Sequence, residues 1–334
     1  MATPAAVIRR ALIAPFELLG TFLLSGLFSI LPRGVAHALG RRMGRWAYFL
    51  SPRSRNVAKE NLQLMLGVDA AGAARIAERS MRLAGAAFSD LLRAPRMRRL
   101  LARRDVEIPE ETWQAIDGIR RGARGAVFAA SHFGNWEFAN LCGPYSALPQ
   151  QTVVIRPIPN PLLHRYLAWC RGRTGQRLIL RNMATTEAFH LVREGGICVI
   201  TFDLPVPPDS GAVPVEFFGR PTYTTLGVGY VAAVTGAPVY LAHFEPMGGC
   251  RYRFVLTGPL QAAAGETLRA TATETTRNVS RALESCIRAR PEAWAWWLKR
   301  WKVRPDGARG GWPSYSVEVS WHWPRGTAPR RDHA

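Results

Sequence analysis

Apolar residues recur at three- and four-residue intervals through residues 54–66 and 70–93, where Ile76, Leu83, Phe88, Leu91 and Leu92 alternate with arginines. That period predicts two amphipathic helices. A third helix is predicted over Glu111–Arg121. From there the pattern changes to short apolar runs, Ala126–Ala130, Thr152–Ile155, Leu178–Leu180, Ile197–Phe202 and Val239–Phe244. Runs of this length read as buried strands. Helical stretches separate most of them, which predicts an α/β fold: a mostly parallel central sheet flanked by helices. Arg251–Leu256 adds an edge strand, Glu266–Arg290 a long helix, and Pro291 suits the start of another. No internal repeat is visible.

The amino-terminal segment has a different pattern. Ala11–Leu31 is apolar almost throughout, broken mainly by Pro15 and Glu17, and is long enough to cross a bilayer. It lacks a small-residue cleavage site, which argues against a removed signal peptide. Arginines on both sides leave its orientation open. A span, a helix lying in the membrane interface and a core helix all fit the pattern. The expected organisation is a membrane anchor over 1–31, one α/β domain over 32–305 and a poorly ordered Gly-, Pro- and Arg-rich tail over 306–334.

Charge narrows the partners. The net charge is +20, and Lys59, Lys299 and Lys302 are the only lysines among 44 basic residues. A basic, arginine-rich chain suits anionic partners: an acidic carrier protein, a phosphorylated lipid, an anionic membrane face or nucleic acid. Arginine in place of lysine also has a bland origin in GC-rich coding. Five scattered cysteines without a C-x-x-C pair read as reduced thiols rather than disulfides or a zinc site, and the histidines show no metal-ligand spacing. No metal or cofactor is expected.

The candidate chemistry lies at AVFAASHFGNWE, residues 126–137, where a strand gives way to turn-forming residues. Ligands in open α/β sheets bind beyond the carboxyl ends of strands. His132 there is a candidate base, and Glu137 five residues on is a candidate orienting carboxylate. On one helix that spacing would set the two side chains about 140° apart, so they meet only across a turn, which Gly134 and Asn135 tolerate. An ordinary strand-to-helix loop explains the spacing equally well. Ser131 would point to the opposite face from His132, which disfavours a serine nucleophile. Arg156 and Asp203 each follow a predicted strand and so fall at the same edge. Thr222, Thr224 or Thr225 would cap a following helix whose amino end suits a phosphate. Trp294, Trp297 and Trp301 would share one face of a closing helix that also carries Arg300 and Arg304, read either as an interfacial anchor or as a core face.

The string SHFGNWE, with VVIRPIPNP at 153–161, GGICVITFD at 195–203, the stretch 213–239 and PEAWAWWLKRWKVRP at 291–305, resembles the lysophospholipid acyltransferase superfamily. Within it the chain is most similar to the lauroyl/myristoyl acyltransferases that complete lipid A. The resemblance covers most of residues 20–305 with its blocks in order. It implies a His-x4-Glu motif at His132 and Glu137, with His132 as general base oriented by Glu137, and substrate contacts at Arg156, Asp203, Arg300 and Arg304. It further implies transfer of a fatty acyl chain from acyl carrier protein or acyl-CoA to a hydroxyl of a lipid A precursor or similar glycolipid. The implied location is the inner membrane, with the catalytic domain facing the cytoplasm and no nucleic acid involved. Two other readings explain part of the pattern: transfer to another lipid acceptor, and a basic membrane- or nucleic-acid-binding protein without catalysis.

Overall fold

The computed structural model describes residues 4–94, 105–137, 148–155, 157–172, 176–180, 184–208, 211–305 and 311–319. Four helices come first: α1 (Pro4–Ile30), α2 (Arg33–Leu50), α3 (Pro52–Leu66) and α4 (Ala70–Leu92). Asp69 caps α4, its carboxylate accepting from the Gly72 N–H, and Gly67 ends α3 in the left-handed conformation. The seven-stranded sheet has the order β1-β9-β8-β2-β5-β3-β4. Its strands are β1 (Val106–Glu107), β2 (Ala126–Ala130), β3 (Gln151–Ile155), β4 (Arg177–Leu180), β5 (Ile197–Thr201), β8 (Val239–Gly248) and β9 (Arg251–Thr257). All neighbours pair in parallel except β8 and β9, a hairpin turned through Gly248, Gly249 and Cys250, all at positive φ. The fold is therefore α/β with a mostly parallel sheet, as the alternation predicts.

Helices α5 (Glu110–Arg121), α6 (Pro161–Gly172), α7 (Ala184–Arg193), α8 (Gly227–Thr235) and α9 (Leu268–Ala289) connect and cover the strands. Two large apolar clusters occupy the two faces of the sheet. Ala126, Phe128, Val153, Ile197 and Val199 join α5, α6 and β9 on one face; Val127, Ala129, Cys198 and Leu241 join α3, α4, α8 and α9 on the other. The centre of the sheet is thus buried on both sides, which is why its strands read as continuous apolar runs.

The carboxyl-terminal block departs from expectation. After Pro291–Ala293, a single 3₁₀ turn, no helix forms among the described residues. Trp294, Trp296 and Trp301 are fully buried, packed on Phe217 and Phe218. The tryptophans are core, and the shared helical face does not exist. A hairpin over β6 (Ala212–Phe217) and β7 (Arg220–Thr225) occupies the segment read as a helix start. Thr222 and Thr224 lie in it, their hydroxyls donating to the carbonyls of Arg300 and Phe202. Only Thr225 stands by α8, accepting from the Gly227 N–H. Residues 311–319, assigned by sequence to the tail, form β11 (Val317–Val319) beside β10 (Val303–Pro305), with Tyr315 bonded to Asn61.

Helix α1 packs one side against the domain. Ser25 donates to the Leu92 carbonyl, Asn160 donates to Glu17, and Phe28 is buried. Several of its large apolar side chains face outward: Phe16 is 74% exposed, Leu23 62% and Ile30 67%. It is long and apolar enough to cross a membrane.

Candidate active site

His132 follows β2 by two residues, at the carboxyl edge of the sheet. The turn that holds it requires glycine: Gly134 has φ 66°, and a Cβ there would collide with the Phe244 carbonyl. The Gly134 N–H donates to the Ala293 carbonyl, the Asn135 N–H to Phe244 and the Ala295 N–H to His132. These bonds stitch the loop between β8 and the tryptophan-rich block. Asn135 is buried, its side chain donating to Asp90 and the Tyr252 hydroxyl.

The carboxylate that meets the imidazole is Asp203, where sequence reasoning had placed Glu137. Asp203 stands two residues beyond β5, which is hydrogen-bonded to β2 in parallel, so both residues leave the sheet side by side. His132 Nδ1 lies 2.9 Å from Asp203 Oδ1, and the His132 backbone N–H donates to Oδ2 at 2.7 Å. The Trp294 indole N–H donates to the same Oδ2 at 3.0 Å. A carboxylate only accepts, so Nδ1 carries the proton and Nε2 is left basic. Asp203 is completely buried, and burial alone would raise its pKa. The charge and hydrogen bonds of His132, with the Trp294 N–H, outweigh burial and hold it below the usual carboxylate value. For His132 burial works downward, but the charge of Asp203, its hydrogen bond and the charge of Glu137 hold the imidazole above 6.5.

Glu137 is engaged elsewhere. Its carboxylate takes a bidentate ion pair from Arg171 of α6, at 2.9 and 3.0 Å from one guanidinium nitrogen and 3.3 Å from another. The half-turn from His132 to Glu137 brings the two into one site without a hydrogen bond between them. Arg171 escaped sequence reasoning because only the packing of α6 against the loop brings it there. Asp203 was visible as a residue after a strand, but its partner depends on strand order, which no local pattern encodes.

His132, Glu137 and Arg171 border a cavity of about 640 Å³, while Asp203 is fully buried and does not line it. Ser131, His132, Trp136, Glu137 and Arg171 supply polar groups to its lining. Phe128, Val153, Ile155, Val199 and Phe254 make much of its wall. The Ser131 hydroxyl is buried, lines the same cavity as His132 and has no hydrogen-bond partner among the described residues. Arg156 lies outside the described residues; β3 ends at Ile155, the residue before it. Arg300 is not at the cavity wall. Its guanidinium is buried, donates to the carbonyls of Leu204 and Tyr223, and is pushed down by burial to about 10. Arg304 pairs with Glu318 across β10 and β11. Neither Arg300 nor Arg304 lines the cavity, where a substrate contact was expected. Among the described residues no group of His, Cys, Asp and Glu is placed to hold a metal ion.

The arrangement offers a neutral imidazole with a fixed tautomer lining a largely apolar cavity, which suits proton removal from a hydroxyl beside a hydrocarbon chain. The profile of the bacterial lipid A biosynthesis acyltransferases matches residues 9–303. A phosphatidylinositol mannoside acyltransferase of Mycolicibacterium smegmatis is 29% identical over 145 residues, 42% of this chain and 45% of that protein. The match therefore spans under half of that relative's length.

Proposed function

This chain belongs to the bacterial lipid A biosynthesis acyltransferase family, and from that premise we propose that it moves a fatty acyl chain from acyl carrier protein or acyl-CoA to a hydroxyl of a lipid A precursor or similar glycolipid. The observation that carries the reading is the His132–Asp203 pair beside the apolar cavity. His132 Nε2 takes the acceptor's hydroxyl proton as the oxygen attacks the thioester carbonyl. The tetrahedral intermediate collapses, the carbon–sulfur bond breaks, and the imidazolium returns the proton to the leaving thiolate. Asp203 holds the tautomer and stabilises the imidazolium. Glu137 and Arg171 border the reacting centre, where the arginine is a cation for the developing oxyanion or an acceptor phosphate. Arg156, next in sequence after β3, is proposed for the same class of contact. No acyl-enzyme is needed.

The reaction is placed at the inner membrane, on the cytoplasmic side where acyl carrier protein is found. The outward apolar face of α1 supports membrane contact, and the net charge of +20 supports steering of an acidic donor and anionic lipid. A second acceptor comes from the mycobacterial relative, a phosphatidylinositol mannoside acyltransferase: a phosphatidylinositol mannoside or like glycolipid.

Lipid mass spectrometry of a bacterium lacking its late lipid A acyltransferase, carrying this gene or its His132→Ala form, tests the proposal. The expected result is one added acyl chain on lipid A, absent with the variant. The same gain on another glycolipid moves the acceptor. No gain on any lipid overturns the reading.

A further inference from the structure

We propose that Gln151 and Gln176 form a polar floor that sets the longest acyl chain the site accepts; this rests on the acyl-transfer reading. The two residues occupy one level of the sheet. Thr152 pairs with Arg177 across β3 and β4, so Gln151 lies opposite Gln176, immediately before it. Side chains alternate along a strand. Gln151, Val153 and Ile155 therefore share a face with Val199 and Thr201 of β5 and with Phe128 and Ala130 of β2, and all seven line the cavity. One arm of the cavity thus follows this face of the sheet from His132, while Val154, Ile200, Tyr230 and Val231 line it from the other side.

Its depth follows from register. Gln151 pairs with Ile197, and Ile197 with Ala126. His132 is six residues beyond Ala126, so the floor lies about 20 Å below it at roughly 3.3 Å per residue. That is the reach of a long-chain fatty acyl group. The strands are parallel, so Gln151, first in β3, and Gln176, just before β4, both sit at the edge opposite the catalytic one.

At this depth the wall changes character. Gln151 is 5% exposed and Gln176 6%, yet Gln151 Nε2 and Gln176 Oε1 have no hydrogen-bond partner among the described residues. A buried amide group without a partner is costly, and a terminal methyl pressed against one cannot satisfy it. Each methylene gained by the chain is favourable while the wall is apolar, about fourfold in affinity at 0.8 kcal/mol. The gain reverses where the amides begin. A chain-length limit is the consequence, and it belongs to the donor's acyl group, whose carbonyl must lie at His132 while its tail runs inward.

The test uses the full-length protein with donors of increasing saturated chain length at a fixed acceptor, then acceptors of increasing chain length at a fixed donor. Binding of free saturated fatty acids of the same lengths is measured in parallel. Wild type should show kcat/KM rising to an optimum and falling beyond it. Gln151→Ala and Gln176→Ala should move the optimum to longer donors and raise turnover of the longest about tenfold. Gln151→Leu, which keeps the bulk and removes the amide, should do so less. The fatty-acid binding profile should shift in the same direction. Unshifted profiles in folded, active variants overturn the proposal, as does a shift confined to acceptor length. A shifted binding profile without acyl transfer by wild type keeps the floor and overturns the proposed function. Absence of both binding and transfer overturns both.

Discussion

At the level of single residues, the His132–Asp203 pair links pH, activity and stability. In the proposed mechanism His132 must be neutral to act as a base, and its pKa is raised. Activity should therefore rise with pH and level off above an inflection higher than 6.5, the ordinary imidazole value. Asp203→Asn removes the charge that raises the pKa and the acceptor that fixes the tautomer. It should lower kcat by about 10²–10⁴-fold and move the inflection downward. An unchanged inflection in a folded variant would remove Asp203 from the orienting role. The stability consequence has two signs. Asp203, depressed on folding, contributes above its unfolded value near 3.9 and loses that contribution as pH falls through the folded value. His132, raised on folding, contributes fully below about 6.5 and loses that as pH rises through its folded value. The pair thus stabilises most between roughly pH 4 and 6.5, whereas catalysis needs the alkaline flank. Thermal melts of wild type and Asp203→Asn across this range should differ most inside that window.

Among elements, the amino-terminal helices show how small residues set the scaffold. Helices α2 and α4 approach backbone to backbone: a Cβ at Gly85 would collide with the Gly40 carbonyl oxygen, and one at Gly44 with that of Met81. Gly85→Ala should therefore destabilise by about 1–3 kcal/mol through overpacking. Gly118, exposed in α5 with nothing within 4 Å of its Cβ position, is the contrast: Gly118→Ala should stabilise by about 0.5–1 kcal/mol. Urea unfolding of both variants checks the pair, and equal effects would remove the close-packing account. The same two elements show where sequence reasoning stops. The strands were legible because burial on both faces makes their apolar runs continuous, and α4 because one face is wet. Helix α2 was not, since its glycines make sense only against α4. The tryptophan block misled for a related reason: spacings of three and four suggest a helix, but Trp294, Trp296 and Trp301 converge through turns. His132 was legible from a strand followed by a turn. Asp203 as its partner required knowing that β5 lies beside β2, and Arg171 required the packing of α6.

For the whole molecule, two forces favour a membrane surface, and salt separates them. The net charge of +20 attracts anionic headgroups over about 10 Å at 0.1 M salt and about 3 Å at 1 M. The outward side chains of α1, Phe16, Leu23 and Ile30 among them, gain by leaving water at any salt. Burial of each contributes about 1.5 kcal/mol or more, roughly tenfold in partition. Cosedimentation with vesicles containing anionic phospholipid should therefore weaken between 0.1 and 1 M salt but persist. Replacing Phe16, Leu23 and Ile30 together by serine should remove the salt-resistant part, leaving binding that high salt abolishes. Complete release of the unaltered protein by salt would assign attachment to charge alone. Retention of the triple variant at high salt would place the anchor outside α1. Helix α1 is tied to the domain through Ser25 and the Leu92 carbonyl, and through Glu17 and Asn160 at the start of α6, so the helix proposed to meet lipid also contacts α6. Arg171 near the end of α6 holds Glu137 at the cavity lining. The proposed membrane contact lies on the outward face of α1, away from these ties, so the triple variant should retain turnover of a detergent-dispersed acceptor while losing turnover of one embedded in vesicles.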